Sequence, residues 1–409
     1  MGFQALWLFF TLIFNLGCSH SGTKDHPSPA QAPVADHAEG TQILTGADQV
    51  DQYVPLLKNA RIGLLVNATS MIGDRHLVDV LMGKKIDVKV IFAPEHGFRG
   101  DADAGQEISD SKDKATGIPI VSIYGKKKGP DGADLEQVDV VIFDVQDVGA
   151  RFYTYLSTLK YLMEACAAHN KSLLILDRPN PNGHYIDGPV LEEAYTSFVG
   201  ILPVPVVHGM TLGELALMMN GEGWLKDKAQ CMLKVISCAR YNHQKPYILP
   251  VKPSPNLPNQ LSVLLYPSLC LFEGTNFSVG RGTDKQFQVY GGPDSGAGDY
   301  YFTPEPRPGA TSPFLQGKKC RGYDLSGLSI EQVRSEARIN LAYLLDAYAA
   351  YKDKPGFFLK NNFINQLMGN NTFQRQVKEG RSEAEIRMSW KPGLDKFKEL
   401  RKKYLLYPD

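Results

Sequence analysis

The stretch KVIFAPEHGFRGDADAGQE, residues 89–107, decides how the rest of the chain is interpreted. An apolar run with β-branched residues, 88–93, predicts a strand buried on both faces. Pro94 has no N–H to donate to a neighbouring strand, so the strand ends there. Glu95 and His96 follow at once. Ligands of parallel α/β sheets bind beyond the carboxyl ends of strands, which makes Glu95 a candidate site residue. A charged surface loop would give the same local pattern.

Strands and helices alternate on both sides of this stretch. The pattern predicts strands at 61–67, 118–124, 138–145, 173–176 and 232–237, and helices at 75–84, 151–169 and 211–219, with a helical turn at 135–138. Successive parallel strands with crossover helices imply an α/β fold with a Rossmann-like, doubly wound, mostly parallel sheet. The first strand is followed by NATSMIGD, with neither a GxGxxG nor a Walker A motif, so we expect no nucleotide cofactor.

The composition of the chain changes near residue 253, where PSPNLPNQ predicts an extended segment interrupted by prolines. Beyond it, 292–322 is rich in Gly and Pro and predicts irregular structure, whereas 330–352 and 394–407 are helical in pattern. We therefore expect a signal peptide at 1–18, a flexible linker at 19–44, a Rossmann-like domain at 45–255 and a smaller C-terminal α+β domain at 256–409.

The charge balance bears on the partners. Lys plus Arg and Asp plus Glu both number 44 among 409 residues, so the formal net charge is zero. A protein that binds nucleic acid through bulk electrostatics usually has a basic excess, and we expect no nucleic-acid partner. No Cys or His cluster has metal-ligand spacing, and we expect neither a metal nor a cofactor.

The N-terminus predicts export. ALWLFFTLIFNLGCSH is an apolar run too short to span a bilayer comfortably, and it is typical of a secretory signal. Gly17 before Cys18 resembles a bacterial lipobox, although Asn15 and the absence of Lys or Arg ahead of the run depart from that pattern. We expect a periplasmic or outer-membrane-anchored lipoprotein carrying its lipid on Cys18. The alternative is an ordinary cleaved signal peptide.

Several predicted strands end in polar residues, more than helix capping requires. A bonded structural role is the favoured interpretation of Asp144, Asp177 is expected at most to orient Arg178, and His243 is expected at the surface. The sequence leaves open whether His208 is a buried structural histidine or a ligand. The remaining Asn, Asp, Glu and Arg side chains, with nearby aromatic rings, suit a polyol ligand such as a sugar.

Seven motifs occur in one order: PEHGFRG, FDVQDVGARFYTY, LDRPNPNG, VVHGMTLGELA, SPNLP, LYPSLCLFEGTN and GRGTD. From about residue 45 to the terminal YLLYP, the chain closely resembles the NamZ-type exo-β-N-acetylmuramidases, which are bacterial cell-wall glycosidases. The resemblance implies a Rossmann-like domain and a smaller C-terminal domain that closes a cleft. It also implies release of terminal N-acetylmuramic acid from the non-reducing end of peptidoglycan fragments, in cell-wall turnover.

The catalytic glutamate of that family lies in its PEHG motif, which falls on Glu95 here. Glycoside cleavage needs an acid for the leaving oxygen and a second group at the anomeric centre. We assign Glu95 as the acid and rank Asp147 and Glu273 as candidates for the second group, with attack by the substrate's own 2-acetamido group as an alternative. Gln106 and Val279 replace glutamates that are common in the family, which argues against catalytic roles at those two positions.

The side chains expected to hold the sugar and its lactyl carboxylate come from both predicted domains. Arginine binds carboxylates in a bidentate manner, so Arg99 and Arg281 are the leading candidates for that group, although either could be a structural ion-pair member. The full set is Asn67, His96, Arg99, Arg151, Tyr153, Asn180, His208, Asn256, Asn276 and Arg281.

Two other functions remain open at this point. The protein could be a non-catalytic muropeptide- or glycan-binding lipoprotein that uses the same cleft, or a glycosidase acting on another amino sugar. A binding protein would tolerate loss of Glu95, whereas a glycosidase that uses it as an acid would not.

Overall fold

A seven-stranded sheet forms the centre of the computed structural model, which describes residues 42–98, 110–351 and 354–409. The strands of this sheet are β1 (Arg61–Val66), β4 (Asp87–Ala93), β5 (Ser111–Lys112), β6 (Pro119–Ser122), β7 (Val140–Asp144), β8 (Ser172–Leu176) and β9 (Met232–Ile236), while β2 (Met71–Ile72) and β3 (Arg75–His76) form a separate hairpin. The spatial order is β5-β6-β4-β1-β7-β8-β9. Only β5, at one edge, runs antiparallel to its neighbour in this sheet.

The parallel strands confirm the predicted doubly wound fold. Counted along the chain, the six parallel strands have the order 3-2-1-4-5-6, which is the Rossmann arrangement. The order reverses between β1 and β7, whose ends meet where Val66 pairs with Asp144. Ligands of such sheets bind at this reversal, beyond the carboxyl ends of the strands. Residues that follow β1, β4 and β7 are therefore placed next to one another.

Helices cover both faces of the sheet, because alternate residues of each central strand point to opposite sides. On one face, Leu64 and Ile142 pack with α2 (Leu77–Gly83) and with the segment that contains α1 (Val50–Tyr53). On the other face, Leu65 and Phe143 belong to a larger cluster. That cluster includes α4 (Tyr155–Ala168), α5 (Leu212–Gly221) and much of the C-terminal half, while α3 (Gly132–Leu135) lies between β6 and β7. Strands buried on both faces explain the apolar runs in the sequence.

The C-terminal part confirms the expected mixture of helices with a small sheet. Its strands β10 (Val289–Gly292), β11 (Tyr300–Phe302) and β12 (Cys320–Asp324) form an antiparallel sheet in the order β10-β12-β11. Its helices are α6 (Gln260–Leu269), α7 (Ile330–Glu336), α8 (Ala342–Ala350), α9 (Phe363–Met368), α10 (Thr372–Lys378) and α11 (Glu383–Arg401). The sheet corrects the prediction of irregular structure across 292–322, since β11 and the start of β12 lie in that segment.

Some predicted helices begin or end elsewhere in the structure. The helix expected from residue 75 begins at Leu77, because the His76 ring caps it by accepting from the Val78 N–H. The helix expected from residue 151 begins only at Tyr155, since Arg151 N–H bonds across to Val206 O. The turn expected at 135–138 is the slightly earlier α3, which is capped by Asp131.

The two helices predicted near the C-terminus also differ. The segment 330–352 holds two helices, α7 and α8, because Ala337 adopts the left-handed conformation and ends the first. The last helix starts at Glu383, well before residue 394. Ser382 and Glu385 form a capping box at its start, which the sequence shows as SEAE.

Residues 43–409 form one compact unit. The larger apolar cluster contains residues from both sides of the boundary expected at 255/256, such as Leu159 and Phe287. In the described part of the chain, no helix combines the length and apolar character needed to cross a bilayer. The predicted lipid anchor at Cys18 lies outside the described residues.

Candidate active site

Glu95 occupies a tight turn at the carboxyl end of β4. Pro94 ends the strand, and the Gly97 N–H donates to Pro94 O at 2.9 Å to close the turn. His96 and Gly97 both have positive φ, at 69° and 77°. Side chains other than glycine adopt this conformation at a cost, and such strain clusters at functional sites. The turn leaves Glu95 partly exposed while His96 and Phe98 are buried.

Two hydroxyl groups hold the Glu95 carboxylate. Tyr124, just after β6, donates to Oε1 at 3.0 Å, and Thr154, just before α4, donates to Oε2 at 2.5 Å. Burial and the neighbouring Glu95 charge both raise the pKa of Tyr124, so its hydroxyl keeps its proton. Tyr155 O–H also lies 3.4 Å from the backbone carbonyl of Glu95. Each carboxylate oxygen thus has a donor from a different segment, which fixes the side chain's direction.

Glu95 opens into a pocket of about 140 Å³ between the sheet edge and the C-terminal half. Much of its wall is aromatic: Tyr153 and Tyr155 are in edge contact at 5.0 Å, and Tyr266 contacts both Tyr153 and Phe287. Aromatic walls with a few aimed polar groups are typical of small-molecule sites. The lining residues are Glu95, His96, Phe152, Tyr153, Thr154, Tyr155, Val199, Ser254, Leu257, Tyr266, Glu273, Arg281 and Phe287.

A second carboxylate in the pocket is paired with an arginine. Arg281 Nε donates to Glu273 Oε1 at 2.7 Å, and the guanidinium lies 5.0 Å from the centre of the Phe287 ring. Burial acts to lower the pKa of Arg281, but the Glu273 carboxylate outweighs it and the pKa is raised. Cys270 Sγ donates to the other Glu273 oxygen at 3.4 Å. In the described part of the chain, the terminal Nη nitrogens of Arg281 have no hydrogen-bond acceptor, so this edge of the guanidinium is available to a ligand.

The pocket brings together five of the predicted site residues. They come from three places in the sequence: the turn after β4, the segment before α4 and the segment around α6. These residues are Glu95, His96, Tyr153, Glu273 and Arg281. Arg99, the other arginine expected to bind the lactyl carboxylate, lies outside the described residues.

The remaining predicted residues in the described part of the chain do not line this pocket, and most of them bond to protein groups. Asn67 donates to Tyr155 O–H at 2.8 Å and so supports the wall. Arg151 is fully buried and donates to the carbonyls of Pro189, Val204 and Leu367; burial lowers its pKa to about 9. We assign Arg151 a structural role that ties distant segments together.

Four further predicted residues are bonded to the protein in the same way. The Asn180 amide donates to Met210 O at 2.8 Å, and the Asn256 amide donates to Gly309 O at 2.7 Å. Asn276 donates to Tyr351 O–H at 3.0 Å. His208 is fully buried and accepts from the Met210 N–H, and burial followed by the nearby charges of Arg401 and Arg151 lowers its pKa to about 3.

Asp147, a candidate for the second catalytic group, is buried away from the pocket lining. One of its oxygens accepts from the Gly149 N–H at 2.6 Å. The other, Oδ1, is buried with no hydrogen-bond partner in the described part of the chain. Burial raises the pKa of Asp147 to about 7, so the carboxyl readily holds a proton. Its position leaves Glu273 as the second carboxylate that faces Glu95 across the pocket.

The structure confirms one of three expectations about single polar residues and corrects the other two. Asp144 accepts from Arg178 Nε at 2.5 Å and Nη2 at 3.0 Å, as a structural group should. Asp177 does not orient Arg178; it accepts from Thr211, Gly213 and Tyr407 instead. His243 is not at the surface but fully buried, with its ring nitrogens at 3.0 Å from Glu214 and 3.1 Å from Asp409. The tail that covers it comes from the far end of the chain.

Sequence reasoning missed the residues that hold Glu95 and several that shape the pocket. Thr154 stands within FYTY and Tyr124 ends a predicted strand, and neither position differs locally from an ordinary turn or strand end. Only the β4-β6 neighbourhood and the start of α4 bring them to Glu95. No group of three or more His, Cys, Asp or Glu in the described ranges is arranged to hold a metal ion.

The chain resembles known proteins over most of its length. Residues 62–261 match the family model described as exo-beta-N-acetylmuramidase NamZ, N-terminal, and residues 264–407 match its C-terminal counterpart. The chain is 37% identical over 386 residues to the peptidoglycan beta-N-acetylmuramidase NamZ of Bacillus subtilis (strain 168), covering 90% of this chain and 92% of that protein.

Two solved structures share the fold. Both are DUF1343 family proteins from Bacteroides fragilis NCTC 9343. One is 48% identical with a TM-score of 0.84, and the other is 26% identical with a TM-score of 0.74. Each alignment covers 90% of this chain and 99% of the solved chain. Taken with the matches to both family models across nearly the whole described chain, these relatives show that the chain belongs to the NamZ family of exo-β-N-acetylmuramidases.

Proposed function

We propose that this protein is an exo-acting glycosidase that releases terminal N-acetylmuramic acid from the non-reducing end of peptidoglycan fragments, with Glu95 as its general acid. Membership of the family supports the reaction. The observation that supports the residue is the Glu95 carboxyl itself, which lies at the carboxyl end of β4 and opens into an aromatic pocket. Two hydroxyl groups fix its direction.

The acid step uses the hydroxyl groups around Glu95. To protonate the leaving oxygen, the Glu95 carboxyl must carry a proton in the enzyme–substrate complex. The proton of the Glu95 carboxyl must point at the leaving oxygen, and Thr154 donates to the carboxylate once that proton has left. Tyr124 can donate to Oε1 in both states. The two hydroxyls therefore stabilise the negative charge that appears on Glu95 as the glycosidic bond breaks.

We assign Glu273 to the positive charge that develops at the anomeric centre. It is the second carboxylate among the residues that line the pocket, and it is paired with Arg281 at 2.7 Å. This role holds whether the attacking group is water, Glu273 itself or the 2-acetamido group of the substrate. Asp147 is a weaker candidate because it does not line the pocket and its pKa is raised by burial.

Arg281 is suited to the lactyl carboxylate that distinguishes N-acetylmuramic acid from other amino sugars. Its Nε is held by Glu273, its plane lies near the Phe287 ring, and its Nη edge has no acceptor in the described part of the chain. A guanidinium held on one edge is pre-organised to bind a carboxylate with the other. This arrangement favours a muramic substrate over an amino sugar without an acid group.

The first test is hydrolysis of a peptidoglycan-derived disaccharide, N-acetylmuramic acid β-linked to a second amino sugar, by the purified protein and by Glu95→Gln. We expect release of N-acetylmuramic acid by the wild type and a loss on the order of a hundredfold or more in the variant, because glutamine cannot protonate the sugar leaving group. Glu399→Gln is the matched control, since Glu399 is exposed and lies in α11, which contributes no residue to the pocket lining, and its activity should equal that of the wild type.

Three results would contradict this assignment. Equal activity of Glu95→Gln and the wild type would move the acid to another residue, with Glu273 the next to test. Binding of muropeptides by both proteins without release of sugar would make this a recognition protein instead. Activity on the corresponding β-N-acetylglucosaminide but not on the muramide would mean that the protein is a glycosidase for another amino sugar.

We further propose that the protein is exported and anchored to a membrane through a lipid on Cys18. The support is the apolar run that ends at Gly17-Cys18. Membrane fractionation of cells that express the full chain, beside Cys18→Ala, tests this. We expect the wild type in the membrane fraction and the variant released; an identical distribution of the two proteins would exclude the anchor.

A further inference from the structure

Three aromatic rings form a surface that begins at the catalytic carboxylate; we call Tyr124, Phe198 and Tyr161 the aromatic shelf. Tyr124 donates its hydroxyl to Glu95, and its ring centre lies 5.8 Å from that of Phe198. The Phe198 ring in turn lies 6.3 Å from Tyr161, with an angle of only 16° between the planes. The rings therefore follow one another outward from Glu95.

The aromatic shelf is assembled from three separate segments, and none of its rings is fully buried. Tyr124 follows β6, Phe198 precedes the pocket residue Val199, and Tyr161 lies in α4. Ser157 Oγ donates to Phe198 O at 2.7 Å and so fixes this loop on α4. A core cluster would bury such rings, whereas a binding surface leaves part of them exposed.

The helix sets the length of the aromatic shelf. Thr154, which contacts Glu95, and Tyr161 are seven residues apart, and such positions lie on the same side of a helix. At the usual rise per residue, the separation is about 10 Å along α4. This distance leads away from the pocket and is of the size that a short saccharide would span.

A cation lies over the outer part of the aromatic shelf. Lys128 Nζ is 5.3 Å from the centre of the Phe198 ring and 6.0 Å from that of Tyr161. Its neighbour Lys127 is paired with Asp131 and Asp134, but Lys128 is exposed and has no ion-pair partner in the described segments. An unpaired ammonium beside aromatic rings can donate to hydroxyl groups or to a carboxylate of a bound saccharide.

We infer that the aromatic shelf is the binding site for the leaving saccharide, the part of the glycan that remains after the terminal sugar is cleaved off. This inference rests on the proposed function. A general acid must contact the oxygen of the leaving group, so the leaving saccharide starts at Glu95. The terminal sugar occupies the pocket, and the aromatic shelf, whose residues do not line that pocket, begins at the hydroxyl that bonds the same carboxylate.

The test compares a leaving group that is a saccharide with one that is a single aryl ring. The substrates are a peptidoglycan-derived disaccharide with N-acetylmuramic acid β-linked to a second amino sugar, and 4-nitrophenyl β-N-acetylmuramide. The variants are Tyr161→Ala, which removes the outer ring, and Tyr161→Phe, which keeps the ring and removes only the hydroxyl. The readout is the ratio of kcat/KM for the disaccharide to kcat/KM for the aryl glycoside, which cancels differences in the amount of active enzyme.

We expect Tyr161→Ala to lower this ratio about five- to tenfold, because one aromatic contact with the leaving saccharide is lost. Tyr161→Phe should keep the wild-type ratio. Phe198→Leu provides an independent test, since it retains apolar volume but removes a ring, and it should lower the ratio in the same way. It decides the matter if Tyr161→Ala does not fold.

A ratio unchanged in both ring-removing variants would overturn the inference and leave the aromatic shelf as packing. Equal losses on both substrates would do the same, because they would indicate general damage to the enzyme. Failure of the proposed function is distinguishable: the wild type would then release N-acetylmuramic acid from neither substrate.

Discussion

At Glu95, both carboxylate oxygens accept from hydroxyl groups that are distant in the sequence, Tyr124 to Oε1 and Thr154 to Oε2. Such donors stabilise the ionised form of a carboxyl group more than the protonated form. They therefore fix the direction of the carboxyl group and stabilise the charge that it carries after proton transfer. Neither residue needs to contact the substrate to affect catalysis in this way.

Tyr124→Phe tests this positioning role. The variant keeps the ring against Phe198 but loses the donor to Oε1. The negative charge left on Glu95 after proton transfer is then less stabilised. We expect kcat/KM for the muramic disaccharide to fall about tenfold, and kcat/KM for the nitrophenyl glycoside to change less, because nitrophenolate needs little help from an acid.

Tyr161→Phe is the control for this measurement. It removes a tyrosine hydroxyl from the same group of rings, but one that does not bond Glu95 in the described structure. Its kcat/KM for both substrates should match that of the wild type. Equal losses of Tyr124→Phe on the two substrates would contradict a role of Tyr124 in the acid step.

At the level of elements, the C-terminal tail after α11 contacts the segments that follow β8 and β9. Tyr407 O–H donates to Asp177 Oδ2 at 2.6 Å and accepts from the Cys238 N–H at 2.8 Å. Arg401 and Asp409 form a two-bond ion pair within the same tail. Asp177 is fully buried, and burial raises its pKa to about 6 despite hydrogen bonds from Tyr407 and Thr211. The tail therefore holds the buried Asp177 carboxyl group at the carboxyl end of β8.

Tyr407→Phe should destabilise the protein more at high pH than at low pH. A carboxyl whose pKa is raised by folding favours the folded state most below its unfolded pKa near 4, and this contribution is lost as the pH rises through about 6. Loss of the Tyr407 donor raises the folded pKa further and enlarges the loss. We expect the free energy of unfolding in urea to fall by about 2 kcal/mol around pH 8 and by less around pH 4.

Tyr404→Phe is the matched control in the same tail. Tyr404 donates to Glu222 at 2.6 Å, but Glu222 is partly exposed, and water can replace the lost donor. Its effect on unfolding should be smaller and nearly independent of pH. If Tyr407→Phe showed the same loss at both pH values, the tail would act through packing and the Cys238 hydrogen bond alone.

For the molecule as a whole, residues from both predicted domains contribute to the larger apolar cluster. Tyr266 of α6 contacts Phe152 at 5.4 Å and Tyr153 at 5.7 Å, so the pocket wall is also a contact between the halves. Arg151 donates to Leu367 O at 2.9 Å, and Arg387 pairs with Asp187 at 2.8 Å. Buried polar contacts of this kind leave unsatisfied groups when one side is removed.

A fragment that ends at residue 261, where the N-terminal family match ends, tests whether the Rossmann-like part folds alone. We expect it to lack a cooperative thermal transition and to aggregate, because its share of the common core becomes exposed and Arg151 loses an acceptor. The 43–409 chain should unfold in a single transition by circular dichroism and by tryptophan fluorescence. A soluble fragment with a sharp transition would establish an independent N-terminal domain.

The sequence by itself determined the class of the sheet and the place of Glu95 directly after a strand. Apolar runs such as 61–67 and 138–145 are strong because strands buried on both faces admit few polar residues. The proline after β4 ends the strand, which leaves Glu95 at the edge where ligands bind. These are local effects, readable over a few residues. The helix boundaries were less certain, since they depended on caps such as His76 and on backbone contacts such as Arg151 to Val206.

Only the tertiary structure decided which polar residues face the pocket. Arg151 and Arg281 are both arginines next to glycines or aromatic residues in the sequence, yet one is buried among carbonyls and the other faces the cavity. Asp147 and Glu273 differ in the same way. A side chain's chemistry is local, but its partners are set by which strands are neighbours and by how the C-terminal half covers them. The hydroxyls of Tyr124 and Thr154, 29 and 59 positions from Glu95, are therefore found only in the folded chain.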